Sequence, residues 1–292
     1  MRFRTSLTAG LLAAAALGTT PLLTASANAD APPRAERTAK AEGAAKAAEF
    51  KDDFDGPEGS AVDKSKWQLE TGDNVNNHER QYYTSGTDNA ALDGKGNLVI
   101  TAKKENPGNY DCWYGKCEYT SARLNTAGTF KTTYGHAEAR MKITQGKGMW
   151  PAFWMLGEDI GSAGWPACGE IDVMENVGHE PGTVHGTIHG PGYSGGEGIG
   201  AGYTLPDGQK FADDFHTFAV DWSPEKITWS VDGKEYQTRT PADLGGDKWV
   251  FDHPFYMILN LAVGGDWPGD PDGDTKFPQQ LVVDYVHVTG GN

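Results

Sequence analysis

The chain has 292 residues, of which 38% are hydrophobic, and its 40 acidic and 25 basic residues give a formal net charge of −15. Such a charge repels nucleic acid, anionic lipid and sulfated polymers at long range, which argues against all three as partners. The composition instead favours a soluble protein that acts on a neutral partner.

The first 29 residues have the pattern of a secretory signal peptide. A basic start, MRFR, is followed by a Leu- and Ala-rich run over 7–23, and ANA at 27–29 is a small-residue cleavage site. A membrane anchor is the alternative, but GTTP at 18–21 interrupts the run. No other stretch has the ~20 apolar residues that a span requires. We therefore expect secretion to the extracellular space and no membrane partner.

The remainder divides into a leader and one domain. Residues 30–49 are of low complexity, rich in Ala and charge, and cannot bury a core, so we expect a disordered leader. Residues 50–292 have an ordinary size for a single all-β domain. The sequence shows no internal repeat and no second domain. Nothing in it indicates an oligomer interface, so a monomer is the default expectation.

Short β-rich runs dominate the chain after residue 50, and helical periodicity is scarce. Gly, Pro, Asn and Asp separate these runs, which is typical of an antiparallel sandwich or barrel. In ITWSVDG, Ile227, Trp229 and Val231 share one face, and in GHAEARMKI small or apolar residues alternate with polar ones. The predicted strands are LVITAK (98–103), GHAEARMKI (135–143), AFWML (152–156), EIDVME (170–175), VHGTIH (184–189), HTFAVDW (216–222), ITWSVDG (227–233), FYMILNLAV (255–263) and LVVDYVHV (281–288).

The cysteines fit export. Cys112 and Cys117 enclose a short loop in DCWYGKC, and an oxidising exterior favours a disulfide between them. Cys168 is left over, two residues before Glu170. It could be a catalytic thiol, but a free Cys usually behaves as a small hydrophobe, so we expect a buried side chain.

The segment EIDVME carries three carboxylates, Glu170, Asp172 and Glu175. In a helix Glu170 would point away from the other two. In a regular strand Glu175 would face the core, where a lone carboxylate is costly. A β-bulge at Val173–Met174 resolves the conflict, because one extra residue restores the alternation. All three acids then share a face, and Met174 enters the interior.

A bulged strand of this kind predicts paired catalytic carboxylates. The α-carbons of Glu170 and Glu175 would be roughly 13 Å apart. Side chains that lean inward could bring the carboxyl groups to the ~5–5.5 Å of a retaining glycosidase. Asp172 lies between them and could share a proton with Glu170. The crowding raises at least one pKa, as a general acid requires. From spacing alone, a solvated acidic face and a Ca²⁺ site remain alternatives.

GEIDVME resembles the E-[ILV]-D-x-x-E signature of glycoside hydrolase family 16. The segments NNHERQYYT, YTSARLNT, GMWPAFWML, GTIHGPGYSGG and ILNLAVGGDWPG are also similar to that family, over about residues 52–288. The bulged signature is typical of laminarinases, which are endo-1,3-β-glucanases, and the whole pattern is most similar to bacterial members. The resemblance implies a β-jelly-roll sandwich of two antiparallel sheets with a concave substrate cleft.

The resemblance also implies a retaining mechanism with a covalent glycosyl-enzyme. Glu170 matches the nucleophile, Glu175 the general acid and then base, and Asp172 the assisting acid. His189 in GTIHG matches a position that supports the catalytic side; alternatively, it is a strand histidine satisfied by a hydrogen bond.

Aromatic residues fit a sugar cleft, because pyranose faces are apolar. Trp150 or Trp154 could instead be plain core, and Arg123 matches an arginine that donates to sugar hydroxyls. The segment around Asn77 departs from the family's N-N-E-x-Q, because His78 intervenes. The expected sugar-contacting residues are Asn77, Arg123, Trp150, Trp154, Trp165 and Trp267.

No cofactor is expected for the chemistry, but many members of the family carry a structural Ca²⁺ on the convex face. The matching positions are Asp53, Gly96 and Asp284. Oxygen ligands, including backbone carbonyls, suit such a hard cation. The two aspartates could equally be surface acids.

The sequence therefore predicts a secreted, retaining endo-β-1,3-glucanase that acts on a neutral β-glucan. One alternative is the same fold acting on mixed-linkage β-glucan, agar or 1,3-galactan. The other is a non-catalytic glucan-binding protein. As the resemblance suggests, such binding proteins have lost one or both glutamates, whereas this chain has both.

Overall fold

The computed structural model describes residues 50–290, in which two large antiparallel sheets pack against each other. The predicted signal peptide (1–29) and leader (30–49) lie outside the described residues. Within the described part, no helix has the length and apolar character needed to cross a membrane.

The first sheet has eight strands. In spatial order they are β17 (Lys234–Arg239), β16 (Lys226–Val231), β15 (His216–Ser223), β10 (Gly135–Lys142), β19 (Gln279–Gly290), β5 (Leu98–Ala102) and β4 (Ala90–Leu92), with β1 (Phe50–Asp52) also paired to β19.

The second sheet has seven strands and carries the acidic segment. In spatial order they are β14 (Ile199–Thr204), β13 (Thr183–His189), β12 (Glu170–Glu175), β11 (Met149–Gly157), β18 (Phe255–Val263), β9 (Arg123–Asn125) and β2 (Gln68–Leu69).

The other elements are short. A parallel pair joins β3 (Gln81–Tyr83) to β8 (Tyr119–Ser121), and a hairpin joins β6 (Asp111–Cys112) to β7 (Gly115–Lys116). The helical elements are α1 (Ile160–Ala163) and the 3-10 turns Gly195–Glu197, Pro206–Gly208 and Pro241–Leu244. The hairpin contains the predicted Cys112–Cys117 disulfide, which is confirmed.

The core lies between the two sheets and follows the alternation read from the sequence. Ile227, Trp229 and Val231 are buried in it, as are Ala137 and Met141 on β10. Each of the nine predicted runs overlaps a strand, which confirms the antiparallel sandwich. On β12 the core receives the apolar residues, so the acidic side chains are left on the opposite face of the second sheet.

Candidate active site

The predicted β-bulge is present in β12. On the β13 side, Asp172 pairs with Thr187 and Glu175 with His185, so three steps along β12 match two along β13. Val173 and Met174 are both buried in the core, which absorbs the extra residue. The alternation is thereby reset, and Glu170, Asp172 and Glu175 share the outer face.

The bulged strand is also held through the core. The indole Nε1 of Trp229, on β16 of the first sheet, donates a hydrogen bond of 2.8 Å to the backbone oxygen of Asp172. This contact joins the two sheets at the middle of the acidic segment.

Burial and crowding raise the pKa of all three carboxyl groups. Burial is the larger cause and raises the pKa of Glu170 to about 8, with a further increase from the charge of Asp172. Burial raises the pKa of Asp172 to about 7. The pKa of Glu175 lies well above its usual range, because burial is reinforced by both neighbouring carboxylates. The three carboxyl groups therefore titrate as a coupled set, and burial together with the neighbouring charges favours the protonated form of Glu175.

His189 faces this cluster from β13, where it pairs with Glu170. Its Nε2 lies 3.1 Å from Oδ2 of Asp172 and 3.9 Å from Oε1 of Glu170. His189 Nδ1 and Asp172 Oδ2 have no hydrogen bond of good geometry within residues 50–290. Both atoms are buried, and the ring is positioned beside the two acids by packing and by the 3.1 Å contact between Nε2 and Asp172. Within residues 50–290, Glu170, Asp172 and His189 form the only group of three His, Cys, Asp or Glu side chains whose potential metal-binding atoms lie within 4.8 Å of one another.

A tryptophan donates a hydrogen bond to each glutamate. Trp165 Nε1 donates to Oε2 of Glu170 at 2.9 Å, and Trp150 Nε1 donates to Oε1 of Glu175 at 3.0 Å. Each bond favours the ionised carboxylate and opposes the upward pKa shift. Trp165 is 48% exposed, so its ring also offers an apolar surface beside Glu170.

Trp267 extends the aromatic wall beside Glu175. Its ring meets Trp150 edge-on at 5.7 Å between centroids and His185 at 5.0 Å. Trp267 is 40% exposed. The structure thus brings the predicted Trp150, Trp165 and Trp267 to the two ends of the acidic strand.

Trp154 and Arg123 lie next to Asp172, on the β11 side of the acidic strand. Trp154 pairs with Asp172 across β11 and β12, and its indole Nε1 donates to Asn260 Oδ1 at 2.8 Å. The guanidinium of Arg123 lies 4.7 Å from the Trp154 ring centroid, and its Nε lies 3.1 Å from Glu70. Trp154 packs against a small cluster outside the main core and is partly exposed.

Asn77 belongs to a network centred on the buried carboxylate of Glu79. The Glu79 carboxylate accepts a hydrogen bond of 3.2 Å from Asn77 Nδ2 and one of 3.0 Å from the Tyr83 hydroxyl. Tyr83 OH in turn accepts a hydrogen bond from Asn260. Although the sequence departs from the family pattern here, Asn77 is still connected through Glu79 and Tyr83 to Asn260, which contacts Trp154.

Sequence reasoning missed Asn260, Glu79 and His185. Asn260 had a readable signal, since it is the lone amide in the apolar strand FYMILNLAV. Glu79 lies in a polar loop, and the burial of its side chain can be seen only in the folded structure. His185 lies on a correctly predicted strand, and its contact with Trp267 depends on a distant loop.

The leftover thiol is not part of the chemistry. Cys168 is free and buried, and burial raises its pKa to about 11, so it remains a neutral thiol. It packs with Leu156 and Ile258. The interpretation as a small buried side chain is confirmed.

The three calcium candidates lie around β19. Strand β1 pairs with residues 286–288 and β5 with residues 279–283, so Asp53, after β1, and Gly96, before β5, are brought toward Asp284. Asp53 accepts a hydrogen bond of 2.8 Å from His287, which lowers its pKa to about 2, and Asp284 accepts one of 2.7 Å from Arg140. Carboxylate and backbone oxygens are the ligand types that suit a hard cation, and each of the two aspartates here also pairs with a basic side chain. Calcium binding stays a prediction.

The arrangement as a whole suits acid–base and nucleophilic chemistry on a sugar. One glutamate keeps a proton, another lies five residues away on the same face, and aromatic surfaces flank both. A carboxylate pair of this kind can protonate a leaving oxygen and attack the carbon it leaves.

Comparison with known proteins agrees with this chemistry. The family described as Glycosyl hydrolases family 16 matches residues 77–287. A "Beta-glucanase" of Rhodothermus marinus is 42% identical over 237 residues, which cover 77% of this chain and 79% of the relative.

Solved structures give the same result. The laminarinase catalytic domain from Thermotoga maritima MSB8 has a TM-score of 0.77 and 45% identity, covering 84% of this chain and 98% of that one. The endo-beta-1,3-glucanase from Pyrococcus furiosus has a TM-score of 0.76 and 49% identity, covering 82% and 93%. The predicted jelly-roll sandwich is thereby confirmed, as is the predicted family. The chain belongs to glycosyl hydrolases family 16.

Proposed function

We propose that this protein is a secreted, retaining endo-1,3-β-glucanase that hydrolyses laminarin-type glucan. The observation that carries the proposal is the bulged strand, which puts Glu170, Asp172 and Glu175 on one face with an indole donor on each glutamate. Relatives named as laminarinases or endo-1,3-β-glucanases support the linkage.

In the first step, ionised Glu170 attacks the anomeric carbon while Glu175 gives its proton to the departing glycosidic oxygen. A covalent glycosyl-enzyme forms, and the leaving chain carries the proton away. The raised pKa of Glu175 supports its role as the acid, because a general acid has to carry a proton near neutral pH.

In the second step, Glu175, now a carboxylate, takes a proton from water, and the hydroxide equivalent attacks the anomeric carbon. Glu170 leaves as a carboxylate, so the configuration is retained after two inversions. Asp172 and His189 orient Glu170 and share charge with it; the Nε2–Oδ2 distance of 3.1 Å supports this role.

A neutral substrate is supported by charge. The chain carries −15 overall, and the site itself contains three acids. A sulfated or uronic-acid polymer would be repelled from both. Both glutamates are present, which supports catalysis over glucan binding alone.

Export and calcium complete the proposal. The basic start, apolar run and ANA site support a secretory signal, and the Cys112–Cys117 disulfide fits an oxidising compartment. A bound calcium ion at Asp53, Gly96 and Asp284 would tie the end of β1 to β19 and would have a structural role. Amino-terminal sequencing of the protein from culture supernatant tests export, with Asp30 expected as the first residue.

A substrate panel tests the activity. Reducing-sugar release from laminarin should exceed that from lichenan, agarose and 1,3-galactan. Glu170→Gln should abolish it, whereas the exposed control Glu118→Gln should not. Preference for another glycan would replace the proposed substrate, and full activity of Glu170→Gln would refute the nucleophile.

Azide rescue separates the roles of the two glutamates. With an activated aryl β-glycoside of laminaribiose, azide should rescue Glu170→Gly and give the α-glycosyl azide, because it replaces the nucleophile. In Glu175→Gly it should attack the covalent intermediate and give the β-glycosyl azide. Exchanged products would mean that the two roles are reversed.

A further inference from the structure

Four large hydrophobic side chains are exposed among the described residues. Trp165 and Trp267 belong to the walls of the site, whereas Trp113 and Val75 have no place in the mechanism. Trp113 is 40% exposed and Val75 54% exposed. The two residues are not isolated on the surface, because the Trp113 ring contacts that of His78, three residues after Val75 in the same loop.

Trp113 is held rigidly. It lies in the β6–β7 hairpin, which the Cys112–Cys117 disulfide closes. Its backbone nitrogen donates to the Asp73 carboxylate at 2.7 Å, and its indole Nε1 donates to the backbone oxygen of Glu79 at 2.8 Å. Because the indole N–H is satisfied by the protein, the exposed part of the side chain is the apolar ring, in a fixed orientation.

Trp113 is joined to the catalytic wall by contacts. Its ring meets that of His78 at 4.9 Å between centroids, and His78 Nδ1 lies 3.0 Å from the Asp266 carboxylate. Asp266 directly precedes Trp267, whose ring contacts Trp150 beside Glu175. These contacts connect Glu175 to the hairpin through Trp150, Trp267, the neighbouring Asp266 and His78.

Polar groups suited to hydroxyls surround this ring. Asn76, Asn77 and His78 are exposed in the neighbouring loop. The guanidinium of Arg80 lies 5.6 Å from the Trp113 ring centroid. Exposed carboxylates such as Asp73 disfavour an anionic ligand. An apolar plate with a rim of amide, imidazole and guanidinium groups has the chemistry that recognises a neutral pyranose.

We propose that Trp113 is a remote subsite for a sugar ring of the same β-glucan chain that occupies the catalytic cleft. This inference rests on the proposed function. A chain bound at Glu170 and Glu175 must pass Trp267 before it reaches the hairpin. Only substrates long enough to do so gain this contact, so the subsite selects for polymer over short oligosaccharide.

The test compares a long and a short substrate in Trp113→Ala. The ratio of kcat/KM for laminarin to kcat/KM for laminaritetraose should fall by about three- to tenfold, through the KM for laminarin, because one aromatic contact is lost. Trp113→Phe keeps a ring and should restore most of the ratio. Val75→Ala, the exposed control in the adjacent loop, should leave it at the value of the parent. Thermal unfolding of each variant checks the fold.

Binding provides the second readout. In a Glu170→Gln background, calorimetry should show that Trp113→Ala weakens laminarin binding by a similar factor and tetraose binding by less. Equal losses on both substrates, or no loss on laminarin, would overturn the proposal. If the parent protein cleaves a different glycan, the proposed function is wrong, but this result alone does not decide the role of Trp113. The ratio of kcat/KM for long and short forms of that glycan then tests Trp113 in the same way.

Discussion

The indole Nε1 of Trp150 donates a hydrogen bond of 3.0 Å to Oε1 of Glu175, and Trp165 makes the equivalent bond of 2.9 Å to Glu170. Glu175 and Glu170, the proposed acid and nucleophile, therefore each have a separate indole donor. Because such a bond stabilises the carboxylate, it lowers the pKa of its own glutamate. Removing one donor should therefore shift mainly the ionisation of the glutamate that it contacts.

Replacing each donor by phenylalanine should move one limb of the pH–rate profile. Trp165→Phe raises the pKa of Glu170, so the acidic limb of kcat/KM should move to higher pH by about one unit. Trp150→Phe raises the pKa of Glu175 and should move the alkaline limb upward instead. The two variants serve as each other's control. Identical profiles for both would contradict the separate assignment of acid and nucleophile.

Asp172→Asn should move both limbs downward. The charge of Asp172 raises the pKa of Glu170 and of Glu175, so its removal lowers both. At neutral pH Glu175 then keeps its proton less often, and kcat should fall. A pH–rate profile of laminarin hydrolysis measures this shift. If the acidic or the alkaline limb moved to higher pH instead, the charge of Asp172 would not be its main effect on Glu170 or Glu175, respectively.

Glu170→Gln should stabilise the protein at alkaline pH. The pKa of Glu170 rises from 4.5 to about 8 on folding, so the free energy of unfolding decreases as pH rises between these values. Gln does not titrate and avoids this loss. The melting temperature of the variant should match that of the parent near pH 4 and exceed it at pH 8. A constant difference across that range would contradict a raised pKa, and Glu118→Gln is the exposed control.

Deleting Met174 tests the role of the bulge. The remaining strand would alternate regularly, with Glu170, Asp172 and the following glutamate still on one face. Laminarin hydrolysis should remain detectable above the Glu170→Gln background. The free energy of unfolding should fall by about 2–5 kcal/mol, because a fully buried side chain is lost from the core. Loss of all activity in a folded variant would mean that the bulge geometry itself is required.

Calcium should raise the melting temperature. A ligand at 100 times its Kd adds about 2.7 kcal/mol to the free energy of unfolding. The increase over an EDTA-treated sample should disappear in Asp53→Asn and persist in Asp213→Asn, an exposed acid elsewhere. For each variant, only the difference in melting temperature with and without calcium is compared, because Asp53→Asn also alters the contact with His287. No increase in the parent would refute the site.

The fold was predictable where side chains alternate strongly. FYMILNLAV and EIDVME match β18 and β12 residue for residue. Strands such as β14, with its glycines, and β17, KEYQTR, lack an apolar period and were not predicted. They lie at the ends of their sheets, where one side of the strand has no partner among the described strands. The core therefore constrains their sequences less.

The acids of the site were predictable, but their partners were not. The bulge followed from the cost of burying Glu175, a local argument. The donors Trp150 and Trp165 were expected as sugar-binding walls, and their bonds to the glutamates appear only when β11 and the loop before β12 are folded together. The Glu79 network depends likewise on contacts between distant segments.

The indole of Trp229 reaches the backbone of Asp172 from the opposite sheet. A displacement of one layer of the sandwich relative to the other would therefore strain the strand that carries Glu170, Asp172 and Glu175. Warming that loosens the packing between the layers would misalign the reacting groups while both sheets are still intact. We therefore expect activity to be lost at a lower temperature than the one at which the chain unfolds.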